Sequence, residues 1–112
     1  MKHIEEEIQQ TCVQWFRMRY REPKYLIYSI PNGGKRNVRE AARMKKQGVR
    51  AGVPDLQVLT SDKMFFVEMK AGKNKQSDNQ IEFQKIVEQM NFKYYVCYSF
   101  DEFEKVCKME LG

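Results

Sequence analysis

The stretch Gly48-Val49-Arg50-Ala51-Gly52-Val53-Pro54-Asp55-Leu56-Gln57-Val58-Leu59-Thr60, running through Ser61-Asp62 into Lys63-Met64-Phe65-Phe66-Val67-Glu68-Met69-Lys70, decides the fold. Residues 55–60 and 63–70 have strand composition, and Ser61-Asp62 is a tight turn between them. Strands joined this way form a hairpin, in which the start of the first lies beside the end of the second. Asp55 is thereby brought next to Glu68 and Lys70. Period-two alternation sets Glu68 and Lys70 on one face, with Val67 and Met69 on the other.

Two carboxylates converging at one sheet end suit a hard divalent cation. Mg²⁺ prefers oxygen ligands and is usually held through one or two carboxylates plus waters and substrate phosphate. Such an ion polarises a scissile phosphate and lowers the pKa of a bound water. A lysine two residues on is placed to orient or deprotonate that water. Without an ion the carboxylates repel, so the arrangement needs the metal or the lysine. Each piece alone is ordinary: Glu-x-Lys is common on exposed strands and Pro-Asp is a common turn. Their joint placement across a hairpin gives the pattern its weight.

Outward from the hairpin, residues 3–19 read as an amphipathic helix, with Ile4, Ile8, Cys12, Trp15 and Phe16 at helical spacing. At about 100° per residue, Glu5 and Gln9 fall beside Cys12 and Phe16, while Glu6 and Glu7 point away. Glu5 is thus the inward-looking member of three glutamates. Tyr25 to Ile30 has strand composition and ends at the turn Pro31-Asn32-Gly33-Gly34. A second helix is predicted over 36–47, with Arg36, Arg39, Arg43 and Lys46 on one face and Val38, Ala41 and Ala42 opposite. That pattern predicts a helix docked by its small apolar back, with cations outward. Gly48 and Gly52 bracket a loop. Ser77-Asp78-Asn79-Gln80 fits a capping box opening a third helix, buried through Ile81, Phe83, Ile86, Val87 and Met90. Residues 93–98 read as a strand and 100–110 as a last helix. The order α-β-α-β-β-α-β-α predicts one layered α/β domain over residues 1–112, built on a mixed four-stranded sheet.

The chain of 112 residues has a net charge of +5. Residues 35–50 hold seven cations, Lys35, Arg36, Arg39, Arg43, Lys45, Lys46 and Arg50, against Glu40. That net of +6 leaves −1 for the rest of the chain. A clustered cationic stripe is the footprint of a polyanion partner, because each neutralised phosphate releases counterions. A solvated surface helix gives the same pattern, so charge alone leaves the two readings level. Cys12, Cys97 and Cys107 form no CxxC pair and lie in apolar surroundings, which reads as reduced, intracellular, buried thiols rather than a disulfide frame or zinc site. His3 is at a terminus without a partner. No apolar run approaches the about 18 residues of a membrane span, and the acidic start is unlike a signal peptide.

Three segments carry a resemblance to a known family: residues 48–56, Val67-Glu68-Met69-Lys70 and Gln76-Ser77-Asp78-Asn79-Gln80. The pattern G-V-x-x-G-x-P-D-L, E-x-K, S-x-x-Q resembles the VRR-NUC domain of the PD-(D/E)xK nuclease superfamily, and the likeness extends over almost the whole chain. The resemblance implies a restriction-endonuclease-like α/β core and Mg²⁺- or Mn²⁺-dependent hydrolysis of DNA phosphodiesters. It implies that Asp55 and Glu68 bind the metal with Glu5 nearby, and that Lys70 serves the attacking water. Gln80 matches a glutamine near the site, and its capping role is an equally good account of it. Asn32, Lys35, Arg36, Arg39, Arg43, Lys46 and Arg50 fit the loop and basic segment that would contact DNA. Stand-alone members of this length resemble those of phages and bacteria, which implies a cytoplasmic homodimer acting on branched DNA, notably four-way junctions. No membrane or small-molecule cofactor is implied.

Two other readings stay open. A nickase or restriction-type nuclease shares the same catalytic core, and a non-catalytic DNA-binding module would use the basic helix alone. The presence of Glu5, Asp55, Glu68 and Lys70 together weighs against the last. The dimer surface is not legible in the sequence, where Tyr20, Tyr25 and Tyr98 stand as exposed aromatic candidates.

Overall fold

The computed structural model describes residues 2–31 and 37–112. The elements follow the predicted order: α1 (Lys2–Arg19), β1 (Leu26–Ser29), α2 (Val38–Lys46), β2 (Leu56–Leu59), β3 (Met64–Met69), α3 (Asp78–Gln89), β4 (Lys93–Cys97) and α4 (Phe100–Leu111). The strands lie side by side as β1-β2-β3-β4, with β1–β2 and β2–β3 antiparallel and β3–β4 parallel. The hairpin is present, with Leu56 opposite Val67 and Leu59 opposite Met64. The parallel pair is made by the crossover through α3, as parallel neighbours require.

Strand β3 is buried on both faces from Phe65 to Met69, which is why its sequence reads as a nearly continuous apolar run rather than an alternation. One face of the sheet carries Leu56, Val58, Phe65, Val67, Met69 and Cys97 against Cys12 and Phe16 of α1 and Phe103 and Cys107 of α4. On the other, Phe66 and Tyr94 pack with Val87 and Phe83 of α3. Glu68 belongs by alternation to this second face. Helices α3 and α4 start at Ser77 and Ser99, whose hydroxyls accept the N–H of Gln80 and Glu102. At the far end of the sheet, the carboxylate of Glu110 takes Lys63, Lys93 and the hydroxyl of Tyr95. The three cysteines are free and buried, and burial pushes each thiol up to about 12. They are unreactive core groups.

Three expectations are corrected. Ile81 and Met90 are exposed rather than part of the buried side of α3. The back of α2 does not dock: Val38 is 87% exposed, Ala41 and Ala42 are exposed, and no residue of the helix is buried. Two alanines and a valine offer too little apolar area to offset ordering the connections. Tyr20 and Tyr25 are also not free aromatics. Tyr20 is 4% exposed, packed on Phe16, and its hydroxyl donates to the carbonyl of Gly112 at 3.0 Å. Tyr25 is half-buried against Tyr20. Tyr98 is exposed as predicted. Asn32, Lys35 and Arg36 lie outside the described residues. No described helix is long and apolar enough to cross a membrane.

Candidate active site

The end of the β2–β3 hairpin assembles the site. Extending the register of Leu56 and Val67 by one residue sets Asp55 opposite Glu68. Backbone bonds hold Asp55 from both sides: its carbonyl accepts the N–H of Ile30 at 2.8 Å, and its Oδ2 accepts the N–H of Met69 at 2.7 Å. Lys70, just past β3, donates its N–H to the carbonyl of Cys97 at 2.9 Å. Its Nζ lies 3.1 Å from Glu68 Oε2. Glu68 is 1% exposed and Lys70 is 12% exposed, so the pair is largely withdrawn from water. The other oxygen of Glu68 accepts the hydroxyl of Tyr94 at 2.8 Å.

Glu5 looks inward from the first turns of α1, as the helical geometry predicts. Its Oε2 accepts Nδ2 of Asn74 at 2.6 Å, and its charge is felt at Asp55. Burial raises the carboxyl pKa of Asp55, with Glu5 adding to the rise and the Met69 N–H and Lys70 opposing it. Burial likewise raises that of Glu68, and Asp55 adds to it, against the hydrogen bond from Tyr94 and the charge of Lys70. These carboxylates are therefore short of positive charge. Among the described residues, no group of three acidic, histidine or cysteine side chains is close enough to form a preformed metal cage. An Mg²⁺ site needs only one or two carboxylates. Asp55 Oδ1, which takes no hydrogen bond among the described residues, and the buried negative charge beside it fit a hard cation.

The family model of the VRR-NUC domain matches residues 3–101. The chain belongs to the VRR-NUC family. A solved structure described as a VRR_NUC domain protein superposes with a TM-score of 0.77 at 21% identity, covering 96% of this chain and 87% of that one. At that identity the likeness speaks for the fold. No curated protein sequence matches the chain. Membership of the VRR-NUC family gives the chain a nuclease-type fold and implies a DNA substrate.

Within this VRR-NUC domain the structure gathers Glu5, Asp55, Glu68 and Lys70 at one end of the sheet. Gln80 is engaged in its cap: its Oε1 accepts the N–H of Ser77 at 2.8 Å, completing the capping box. Arg39, Arg43 and Lys46 lie on α2 and Arg50 follows it, all exposed to solvent. Three residues at the site escape a reading of the sequence. Tyr94 buttresses Glu68, Asn74 holds Glu5, and Gln76, near the Tyr94 hydroxyl, donates to Gln84 Oε1 at 2.9 Å. Tyr94's placement follows from the parallel register, which sets Glu68 opposite Val96, two residues along the same face. Only a sheet order, not a local motif, reveals it.

A stability measurement follows from the electrostatics. Both carboxyl pKa values are raised in the fold, so between the unfolded and folded values the native state binds more protons. Their contribution is present at low pH and is lost as pH rises through the folded values. Asp55→Asn, which keeps an acceptor for the Met69 N–H, is expected to raise the melting temperature of the metal-free protein at pH 8. A gain on the order of 1 kcal/mol is about 4–8 °C for a domain of this size. The gain should shrink on approaching pH 4. An Asp55→Asn variant that melts below wild type at pH 8 would contradict this account of the site.

Proposed function

We propose that this protein is a metal-dependent DNA endonuclease that cuts branched DNA, four-way junctions among it, as a homodimer with two symmetric sites. The observation that carries the reading is the convergence of Asp55 and Glu68 across the hairpin, with the Lys70 ammonium 3.1 Å from Glu68. Asp55 and Glu68 would hold Mg²⁺ or Mn²⁺, with Glu5 positioned by Asn74 to take part through water. A bound ion of this kind supplies Lewis acidity at the phosphate and a water of lowered pKa.

The chain's own groups do the rest. Lys70, fixed through its backbone to Cys97 and through Nζ to Glu68, orients the attacking water. It offsets the negative charge that builds on the phosphate as the water oxygen bonds to phosphorus and the scissile P–O ester bond breaks. Tyr94 holds Glu68 in place by donating to one oxygen, leaving the other facing Lys70. The cations of α2, exposed on a helix with no buried residue, are free to lie along phosphates. Two copies related by a two-fold axis would bring two such sites to opposed strands.

A labelled four-way junction incubated with Mg²⁺, Mn²⁺ or EDTA, beside duplex, flap and splayed substrates, tests activity, metal need and substrate together. Cleavage of plain duplex in preference to all branched forms would favour the restriction-type reading. Binding with no cleavage of any substrate in Mn²⁺ would favour the DNA-binding module. Sedimentation velocity tests the dimer. The role of α2 is tested by the triple change Arg39→Ala, Arg43→Ala, Lys46→Ala. It should lower the slope of log affinity against log salt by about 2–3, since each phosphate contact contributes about 0.9. The melting temperature should stay unchanged, because all three side chains are exposed. An unchanged slope would take α2 out of the DNA interface.

A further inference from the structure

Between α1 and the edge strand β1 runs a groove of about 420 Å³. Gln9, Gln10, Gln14 and Arg17 line its helix side, and Tyr28 and Ser29 its sheet side. Its position is tied to the catalytic edge from both walls. Gln9 is about one helical turn beyond Glu5. Ser29 pairs with Leu56, and the next residue, Ile30, donates to the Asp55 carbonyl at 2.8 Å. The groove is thus a continuation of the site along the sheet edge.

Its chemistry differs from that of α2. Gln10, Gln14 and Arg17 fall at i, i+4 and i+7 on one face of α1. Among the described residues Arg17 is the groove's one cation, and Glu6 stands at the other end, toward Glu5. A groove that followed phosphates would be lined by cations. This one offers glutamine amides, each with two donor hydrogens and an acceptor oxygen, the pairing that matches base edges. Tyr28, 38% exposed with its hydroxyl donating to Gln57 Oε1, adds an aromatic ring at the rim. Ring faces of this kind stack on unpaired bases. Among the described strands β1 pairs only with β2, so its outer backbone edge has further polar groups to offer. A volume of 420 Å³ is within the range of about 300–1,000 Å³ that holds small ligands, and a groove bounded by a helix and a strand edge admits bases only when they are splayed out of a duplex.

We propose that the α1–β1 groove binds unpaired nucleotides of the DNA strand that continues from the scissile phosphate. The proposal rests on the nuclease reading above and deepens it: recognition of unpaired DNA and hydrolysis then share one edge of the sheet.

Fluorescence anisotropy in EDTA reads binding without cleavage. The probes are a blunt duplex, the same duplex with a short unpaired thymine tail, and an oligothymidine. The double variant Gln10→Ala, Gln14→Ala changes two exposed residues and should melt as wild type. It and Tyr28→Ala are expected to bind the tailed and single-stranded probes about 10-fold or more weakly, with blunt-duplex affinity unchanged. Tyr28→Phe, which keeps the ring, should bind the tail as wild type does. Unchanged affinity for the tail, or equal losses on tailed and blunt probes, overturns the proposal. So does a shift from dimer to monomer in sedimentation, which would make the groove a protein interface. If the variants discriminate as stated while wild type cuts no DNA in Mg²⁺ or Mn²⁺, the nuclease reading fails and the groove stands. If wild type cuts and the variants bind the tail normally, the groove fails alone.

Discussion

Lys70→Met is expected to lower cleavage by about 10²–10⁴-fold while leaving DNA affinity within a few-fold of wild type. Methionine keeps the length and apolar stem of the lysine and removes the charge and the proton-transfer group. Two effects then add. The attacking water loses the ammonium that orients it, and Glu68 loses the partner at 3.1 Å that favours its ionised form. Burial already raises the Glu68 carboxyl pKa, so removing Lys70 raises it further, and any residual cleavage should gain with pH over a higher range than in wild type. Binding persists because the cations read as phosphate contacts lie on α2 and the loop after it. Lys70→Arg separates two roles within the side chain. A guanidinium restores the charge and cannot give up its proton, so it rescues a purely electrostatic function and fails to rescue a proton-transferring one. Single-turnover cleavage of the preferred substrate decides the matter, and a Lys70→Met variant that cuts at the wild-type rate removes Lys70 from the chemistry.

What the sequence discloses, and what it withholds, follows the range of the interactions. The Asp55, Glu68 and Lys70 arrangement is legible because a hairpin is local: turn position and period-two alternation fix both neighbours and faces. Glu5 is legible from helical geometry alone, since only one of three adjacent glutamates can sit beside Cys12 and Phe16. Gln80 reads both as cap and as site residue, and its side chain is committed to the cap. Tyr94 and Asn74 are not legible, because they reach the site through the β3–α3–β4 crossover, whose register no short motif encodes. Tyr20 reads as exposed although it continues the spacing of Cys12 and Phe16 by one more step of four residues. It lies just past the last helical residue, where the regular helix stops but the buried stripe does not. The docking of α2 fails for a different reason. A helix can be strongly amphipathic in pattern and still have an apolar side too small to hold it against a sheet.

The second large effect concerns the loop that delivers Asp55. Gly52→Ala is expected to destabilise the fold by about 2–4 kcal/mol and to cost cleavage more than the lost stability explains. Gly52 has φ +86°, a left-handed conformation that costs an L-residue about 1–2 kcal/mol. A Cβ there would stand 2.4 Å from the backbone carbon of Asn79 and 2.5 Å from its oxygen. Those atoms belong to the first turn of α3, held by the Ser77–Gln80 capping box, so they cannot yield as the end of a flexible side chain would. The loop must move instead, and three residues later it becomes Asp55, whose carbonyl and Oδ2 are set by Ile30 and Met69. Gly48→Ala is the matched control. Its φ is +103°, but a Cβ there meets nothing within 4 Å, so it carries the conformational cost without the collision. Thermal melts of both variants, with cleavage assayed well below either transition, separate the two contributions. If Gly52→Ala melts with Gly48→Ala and cuts as wild type does, the close approach of the loop to α3 does not position Asp55.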